Sequence, residues 1–296
     1  MNRKFNNWCL FVLAAFAALT SCKKDDHILT QPATVSPLYN AVLGKWNIAT
    51  TAGRVTNNQT GISSKIQSPP QMVSVEFLSD STYIVILGDG TVTTGTFEIT
   101  DGISITLANF GALSDIKIAD GKMDFKLQCN GAEIIVYANQ ADKIALTSDT
   151  KLLCRTWLLV PPDYGDSIYH YSKDNTVDKI TILFSSSGTY LVQYFQKDVL
   201  VMADIANWKW HATKPMTIQF WWGDNKPLDD DDNIVTIEAM QSGALQLTET
   251  ITSNDVTYAN NYMLTPYSHS GRISSPSMRT MTSGGRTGTH VFFDGH

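Results

Sequence analysis

The chain has 296 residues and a formal net charge of −6, with charged residues at 17% and hydrophobic ones at 43%. An acidic body with no basic stripe argues against nucleic acid as a partner and against electrostatic adhesion to anionic lipid. The length allows one or two domains. From the start of the chain, Arg3 and Lys4 give a basic opening, and an apolar run follows from Leu10 to Leu19. That run fits an export signal and is too short to span a bilayer as a mature helix. It closes with Leu19-Thr20-Ser21-Cys22, small residues at the two positions before a cysteine.

This ending resembles the lipobox of bacterial lipoproteins. The resemblance implies cleavage before Cys22 and acylation of that residue with palmitate-type chains, so residues 1–21 are a signal peptide and the membrane is a partner through the acyl anchor. Several chains give stable anchoring, because each buried CH₂ contributes roughly 0.8 kcal/mol. The plainer alternative is an ordinary secretory signal with an incidental cysteine. Lys23-Lys24-Asp25-Asp26 then resembles the surface-export tag of lipoproteins from the Bacteroidota phylum, or is simply a solvated tether. The implied location is the outer membrane, lipid-anchored and exposed on the cell surface. Cleavage removes two positive charges and no negative ones, so the mature charge is 20 − 28 = −8. Residues 22–37, with Pro32 and Pro37, read as an acylated spacer.

The body repeats itself. Phe77-Leu-Ser-Asp-Ser-Thr-Tyr83 returns as Phe184-Ser-Ser-Ser-Gly-Thr-Tyr190. Before each copy comes a tryptophan, Trp46 or Trp157, and then an alternating strand: Val73, Val75, Phe77 against Ile180, Ile182, Phe184. After each copy, Tyr83-x-Val85-x-Leu87 matches Tyr190-x-Val192-x-Tyr194. Gly95 to Ile99 with Ile103, Ile105 and Leu107 then matches Trp208-x-Trp210 with Met216, Ile218 and Phe220. Met123, Phe125 and Leu127 match Leu245 and Leu247. Tyr137-Ala138-Asn139 and Tyr258-Ala259-Asn260 are read as a last landmark, each soon followed by Leu-Thr at Leu146 and Leu264. The order predicts two homologous domains, 38–147 and 150–267, joined by a very short linker from Ser148 to Lys151 so that the two bodies touch. A flexible Ser/Gly/Thr/Arg-rich tail occupies 268–296.

Each half alternates apolar and polar residues at period two between Gly, Asp, Asn and Ser clusters, and Asp89-Gly90, Asp101-Gly102 and Asp120-Gly121 mark tight turns. The fold class is all-β, with about eight strands per half and no sustained helical period after the signal. A meander of that size avoids exposed edges best by closing into a barrel. Leu43-Gly44-Lys45-Trp46, a long loop, then F-x-x-x-x-x-Y and a string of hairpins resembles the lipocalin-like domains of Bacteroidota lipoproteins. That likeness implies tandem antiparallel β-barrels, or barrel-like sandwiches, in which Trp46 and Trp157 are structural plugs at one end. Arg155 stands where the glycine of the motif would be in the second copy.

The motifs of common hydrolases, metalloproteases and nucleotide-binding loops are absent from the sequence, and no catalytic residue, cofactor or metal is expected. Cys129, in phase with Met123, Phe125 and Leu127, and Cys154, in an apolar stretch, read as two buried free thiols, with pairing left open. The stretch 208–233 concentrates the aromatic residues. Trp208 and Trp210 share one strand face, Lys209 and His211 take the other, and Trp221 faces opposite to Phe220 and Trp222. Trp208, Trp210, Trp221 and Trp222, with Tyr169 and Tyr171 of the loop after Trp157 (near Tyr164 and His170), are the ligand-binding candidates. They either pack a core or present a platform for a glycan or a small apolar ligand. Asp229 to Asp232 reads as a solvated acidic loop rather than a calcium loop. Asp80-Ser81-Thr82 and Asp166-Ser167-Ile168 resemble O-glycosylation acceptors of Bacteroidota. The expected function is a non-enzymatic, lipid-anchored envelope module for binding or scaffolding. The alternatives are a glycan-binding accessory protein using a tryptophan of the second domain and a small-molecule carrier with a barrel cavity.

Overall fold

A computed structural model describes residues 36–52, 71–160, 170–172, 175–177, 179–223, 233–253 and 256–268. The described chain forms two closed, eight-stranded antiparallel barrels in series. A short helix α1 (Pro37–Val42) leads into the first barrel. Its strands are β1 (Gly44–Ala52), β2 (Met72–Phe77), β3 (Thr82–Leu87), β4 (Val92–Ile99), β5 (Ile105–Leu107), β6 (Gly111–Ala119), β7 (Lys122–Cys129) and β8 (Ala132–Gln140). Each pairs with its chain neighbour, and β8 closes on β1. Helix α2 (Ser148–Leu153) leads into β9 (Thr156–Val160), followed by a small separate sheet of β10 (His170–Ser172) and β11 (Asn175–Thr176). The second barrel continues with β12 (Lys179–Phe184), β13 (Thr189–Gln196), β14 (Val199–Trp210), β15 (Thr217–Trp222), β16 (Ile234–Gln241), β17 (Ala244–Ser253) and β18 (Val256–Pro266). Strand β9 pairs with both β12 and β18, which completes the ring. Closure leaves neither barrel with an unpaired edge.

Local chemistry explains the meander. Asp120-Gly121 and Asn130-Gly131 place both central turn residues at positive φ (48° and 70°, 51° and 76°), as a two-residue type I′ hairpin requires. Asp89 and Asp101 act differently: each carboxylate accepts a backbone N–H two residues on, from Thr91 at 2.9 Å and Ile103 at 3.1 Å. Lys197-Asp198 makes a left-handed pair without a glycine, at φ 50° and 61°. Alternation then fills the interior, and Met123, Phe125, Leu127 and Cys129 are all buried. Val73 departs from the expected pattern. A bulge between Met72 and Ser74 turns Met72 inward and leaves Val73 46% exposed.

The internal repeat is structural. In Phe77–Tyr83 the Leu78 N–H donates to Thr82 O and Ser81 N–H to Leu78 O; in Phe184–Tyr190 the Ser185 N–H donates to Thr189 O and Gly188 N–H to Ser185 O. Ser81 and Gly188, at φ 65° and 80°, occupy the same left-handed corner. Beyond it, Phe97 meets Phe77 edge-on at 5.1 Å, and Trp208 meets Phe184 edge-on at 5.7 Å. The Tyr-Ala-Asn triplets are the exception. Ala138 lies opposite Met123 and Leu264 opposite Leu245, so Tyr137-Ala138-Asn139 matches Met263-Leu264-Thr265. Tyr258-Ala259-Asn260 sits five residues earlier, and Leu146 is exposed whereas Leu264 is core. The repeat rests on the other landmarks.

The connection between the barrels is not a bare linker, because it contains α2. Thr147 caps this helix, its hydroxyl accepting the Thr150 N–H at 3.1 Å. Both helices serve the same purpose. Trp46 donates its indole N–H to Val42 O at 2.7 Å, and Trp157 donates to Leu153 O at 2.9 Å, so each buried tryptophan is held four residues after the last turn of its helix. The two tryptophans plug one end of their barrels, the helix end. Arg155 takes the place of Gly44, and its guanidinium lies 5.4 Å from the Trp157 ring centre.

The barrels touch through the outer faces of β2–β4 and β12–β14. Ile84, Leu183, Leu191 and Ala203 form a separate apolar cluster there. Around it, Thr189 donates to Glu76 at 2.6 Å, Gln193 to Thr94 at 3.2 Å, and Thr181 to Gln193 at 3.3 Å. The Phe184–Tyr190 hairpin reaches across the seam, where Ser186 O accepts the Ile144 N–H and Ser187 Oγ accepts the Lys45 N–H. Cys129 and Cys154 are free thiols. Cys129 is buried as expected; Cys154 caps α2 and is only half-buried, with its pKa pushed up to about 12 by burial and then by the charge of Glu76.

The signal peptide and Cys22, the spacer before Ser36, the acidic run Asp229–Asp232, Ser167, Tyr164, Tyr169 and the tail after Ser268 lie outside the described residues. So do the side chains of His170 and Tyr171, whose backbone belongs to β10.

Candidate binding site in the second barrel

Because the two barrels share a register, their interiors compare position by position. Val85 lies opposite Thr93 and Val192 opposite Asp204; Leu113 opposite Leu127 and Val235 opposite Glu249; Phe125 opposite Val136 and Leu247 opposite Tyr262. Tyr83 and Tyr190 begin equivalent strands, so Leu87 matches Tyr194. The first barrel therefore holds Leu87, Thr93, Leu127 and Val136 where the second holds Tyr194, Asp204, Glu249 and Tyr262. All four positions of the first barrel are buried. In the second, Glu249 is 2% exposed, Tyr194 and Tyr262 are buried, and Asp204 is half-buried.

These groups lie toward the end away from Trp157. Along β13 the inward side chains run Tyr190, Val192, Tyr194 from the helix end; along β17 they run Leu245, Leu247, Glu249. Tyr262 donates its hydroxyl to Glu249 Oε2 at 2.9 Å. Tyr190 lies close enough to feel the rest: burial first, and then the charges of Tyr194, Tyr262, Glu249 and Asp204, hold its phenol well above the ordinary tyrosine value. Burial likewise raises Tyr262, with the Glu249 charge and its hydrogen bond adding to the shift. Both phenols stay protonated, and Tyr262 is the one that donates to the Glu249 carboxylate.

The aromatic candidates divide. Trp208 is a core residue, 1% exposed, with its indole N–H given to Ser185 O at 3.0 Å; it carries no binding surface. Trp210 packs edge-on against Trp208 at 5.6 Å and donates to Thr150 Oγ1 at 2.9 Å, which ties β14 to α2 at the plugged end. His211, expected opposite the tryptophans, is buried and accepts the N–H groups of Thr213 and Lys214, so it shapes a turn. Trp222 faces inward, half-buried, edge-on to Tyr190 at 6.0 Å, and joins the polar group at the far end. Trp221 faces outward and is half-buried. Of the aromatic candidates whose side chains are described, only Trp222 belongs to this site.

Sequence reading missed Glu249, Tyr262, Asp204 and the role of Tyr194. A signal was present: Glu249 continues the inward phase of Leu245 and Leu247, just where the first half has Leu127. Among the described residues the seam between the barrels has a crevice by Tyr83, Thr94, Leu183 and Gln193 with a cavity volume of about 20 Å³. That is room for about one water molecule. No family model matches the chain, and no curated protein matches it.

Proposed function

We propose that this chain is a lipid-anchored envelope protein, acylated at Cys22, that acts as a non-enzymatic binding module through the far half of its second barrel. The likeness of its start to a lipobox and of each unit to a lipocalin-like domain supports the anchor and the general role. One observation carries the assignment to the second barrel: Tyr194, Asp204, Glu249 and Tyr262 replace Leu87, Thr93, Leu127 and Val136 at equivalent inward positions. The same fold closes with three apolar residues and a threonine there, so two carboxylates and two phenols are not required for folding. Polar groups retained in an interior at a cost in stability are the mark of a functional site.

The anchor is tested by palmitate labelling, which Cys22→Ser abolishes if the reading holds and leaves intact if it does not. Binding is tested by thermal melting of the protein with a small-molecule extract of envelopes. The native chain gains in Tm, and a variant carrying Tyr194→Leu, Glu249→Leu and Tyr262→Val does not. No gain in the native chain, or an equal gain in both, overturns the assignment.

A further inference from the structure

We propose that the helix end of the two barrels is the surface that rests on the membrane, so that the far halves of both barrels point away from it. The inference rests on the acyl anchor at Cys22 proposed above and adds which face of the body meets the lipid headgroups. The barrels stand side by side with their helix ends level. At that end the Lys45 N–H donates to Ser187 Oγ at 3.1 Å, and the Ile144 N–H to Ser186 O at 2.8 Å. Farther along the seam, Ile86 and Val92 of the first barrel and Leu200 and Ile205 of the second pack on one apolar cluster. The two axes therefore run in the same direction.

Both ends of the body leave from this side. Residues 23–36 join the acylated cysteine to α1, and a chain of that length spans about 20 Å on average. Turning a far end to the membrane would draw the tether along the whole barrel, whose nine-residue strand β1 alone is about 30 Å long. Strand β18 also finishes here, where the Tyr267 N–H donates to Thr156 O at 3.0 Å. Beyond it, residues 268–296 carry Arg272, Arg279 and Arg286 against one acid, Asp294. A basic segment attached at the membrane side suits anionic headgroups. The rim has the mixed character of an interfacial surface: Leu146 is 59% exposed, and Lys122, Lys143, Lys151 and Lys214 are exposed on α2 and the adjoining turns. Asp80, Asp101, Asp120, Asp142 and Asp149 share that end and bring it near electrical balance. The excess acid of the mature chain, −8 in all, therefore lies elsewhere, and an anionic leaflet repels the rest of the body more than this rim. The acyl chains hold the protein, and tether, tail and charge orient it.

The test reconstitutes the acylated full chain in vesicles of phosphatidylethanolamine and phosphatidylglycerol and pulses it with an amine-acetylating reagent. Mass spectrometry then reads each lysine against the Cys22→Ser chain, free in solution beside the same vesicles. Lys122, Lys143 and Lys151 are expected to be modified severalfold more slowly in the anchored chain. Lys197, exposed in the β13–β14 turn at the far end, is expected to react at the same rate in both. Protection of Lys197 instead, or equal rates for all four lysines, overturns the orientation and leaves the anchor standing. A native chain that fails to float with the vesicles overturns the anchor and this inference together.

Discussion

The two barrels share strand number, plug and hairpin geometry, yet differ in what fills the half away from the plug. The first holds Leu87, Leu127 and Val136, and the second Tyr194, Glu249 and Tyr262. The difference separates two demands on one architecture. Closure and plugging need the helix, the tryptophan and the alternating strands, and both copies keep them. The far half bears no such constraint once the ring is closed, so it is free to diverge. The seam adds a second asymmetry: the Phe184–Tyr190 hairpin carries Ser186 and Ser187 onto the chain of the first barrel, while its counterpart Phe77–Tyr83 folds back on α1, where Tyr39 donates to Ser79 O at 2.7 Å.

The shared part is probed by the largest effect. Trp46→Ala and Trp157→Ala each remove a buried ring and an indole hydrogen bond, and each is expected to cost about 3–5 kcal/mol in urea unfolding. Similar losses would support equivalent plugs; a small loss at one would break the parallel. Next comes the exchange of interiors. Leu127→Glu puts a carboxylate without its tyrosine partner into the first barrel and is expected to cost at least about 3 kcal/mol. The reverse change, Glu249→Leu with Tyr262→Phe, removes both partners of a buried hydrogen bond and should leave stability within about 1 kcal/mol of native, or raise it. A large loss from the reverse change would make Glu249 part of the scaffold and erase the contrast. The smallest effect concerns the hairpin corner. Gly188→Ala forces a side chain into φ 80° with its Cβ 3.1 Å from Trp208 O, and should cost about 1–2 kcal/mol. Ser81→Gly, at φ 65° in the other copy, should change stability by less than about 0.5 kcal/mol, since the gain in turn geometry offsets the entropy of glycine.

Much of the fold was legible because its causes are local. Period-two alternation, Asp-Gly turns and a tryptophan ahead of each unit recur at fixed places, and the strand count follows from them. What escaped sequence reading depended on small geometric events. The bulge at Met72–Ser74 reversed Val73, and the two short helices have six residues each, too few for a helical period to emerge. The Tyr-Ala-Asn triplets misled because identical letters lay five residues apart in register. The aromatic candidates were chosen by abundance, but indole rings at strand positions 208 and 210 go to the core by phase, and of the two candidates of β15 only Trp222 lines the lumen.

The sequence by itself determined that the body is two related all-β units, since hydrophobic period and turn chemistry are properties of neighbouring residues. Tertiary structure alone decided which inward positions meet. Tyr194, Asp204, Glu249 and Tyr262 come from four strands spread over some 70 residues of chain, and only the closed register of the barrel turns a carboxylate, its phenol donor and an indole ring into the same interior.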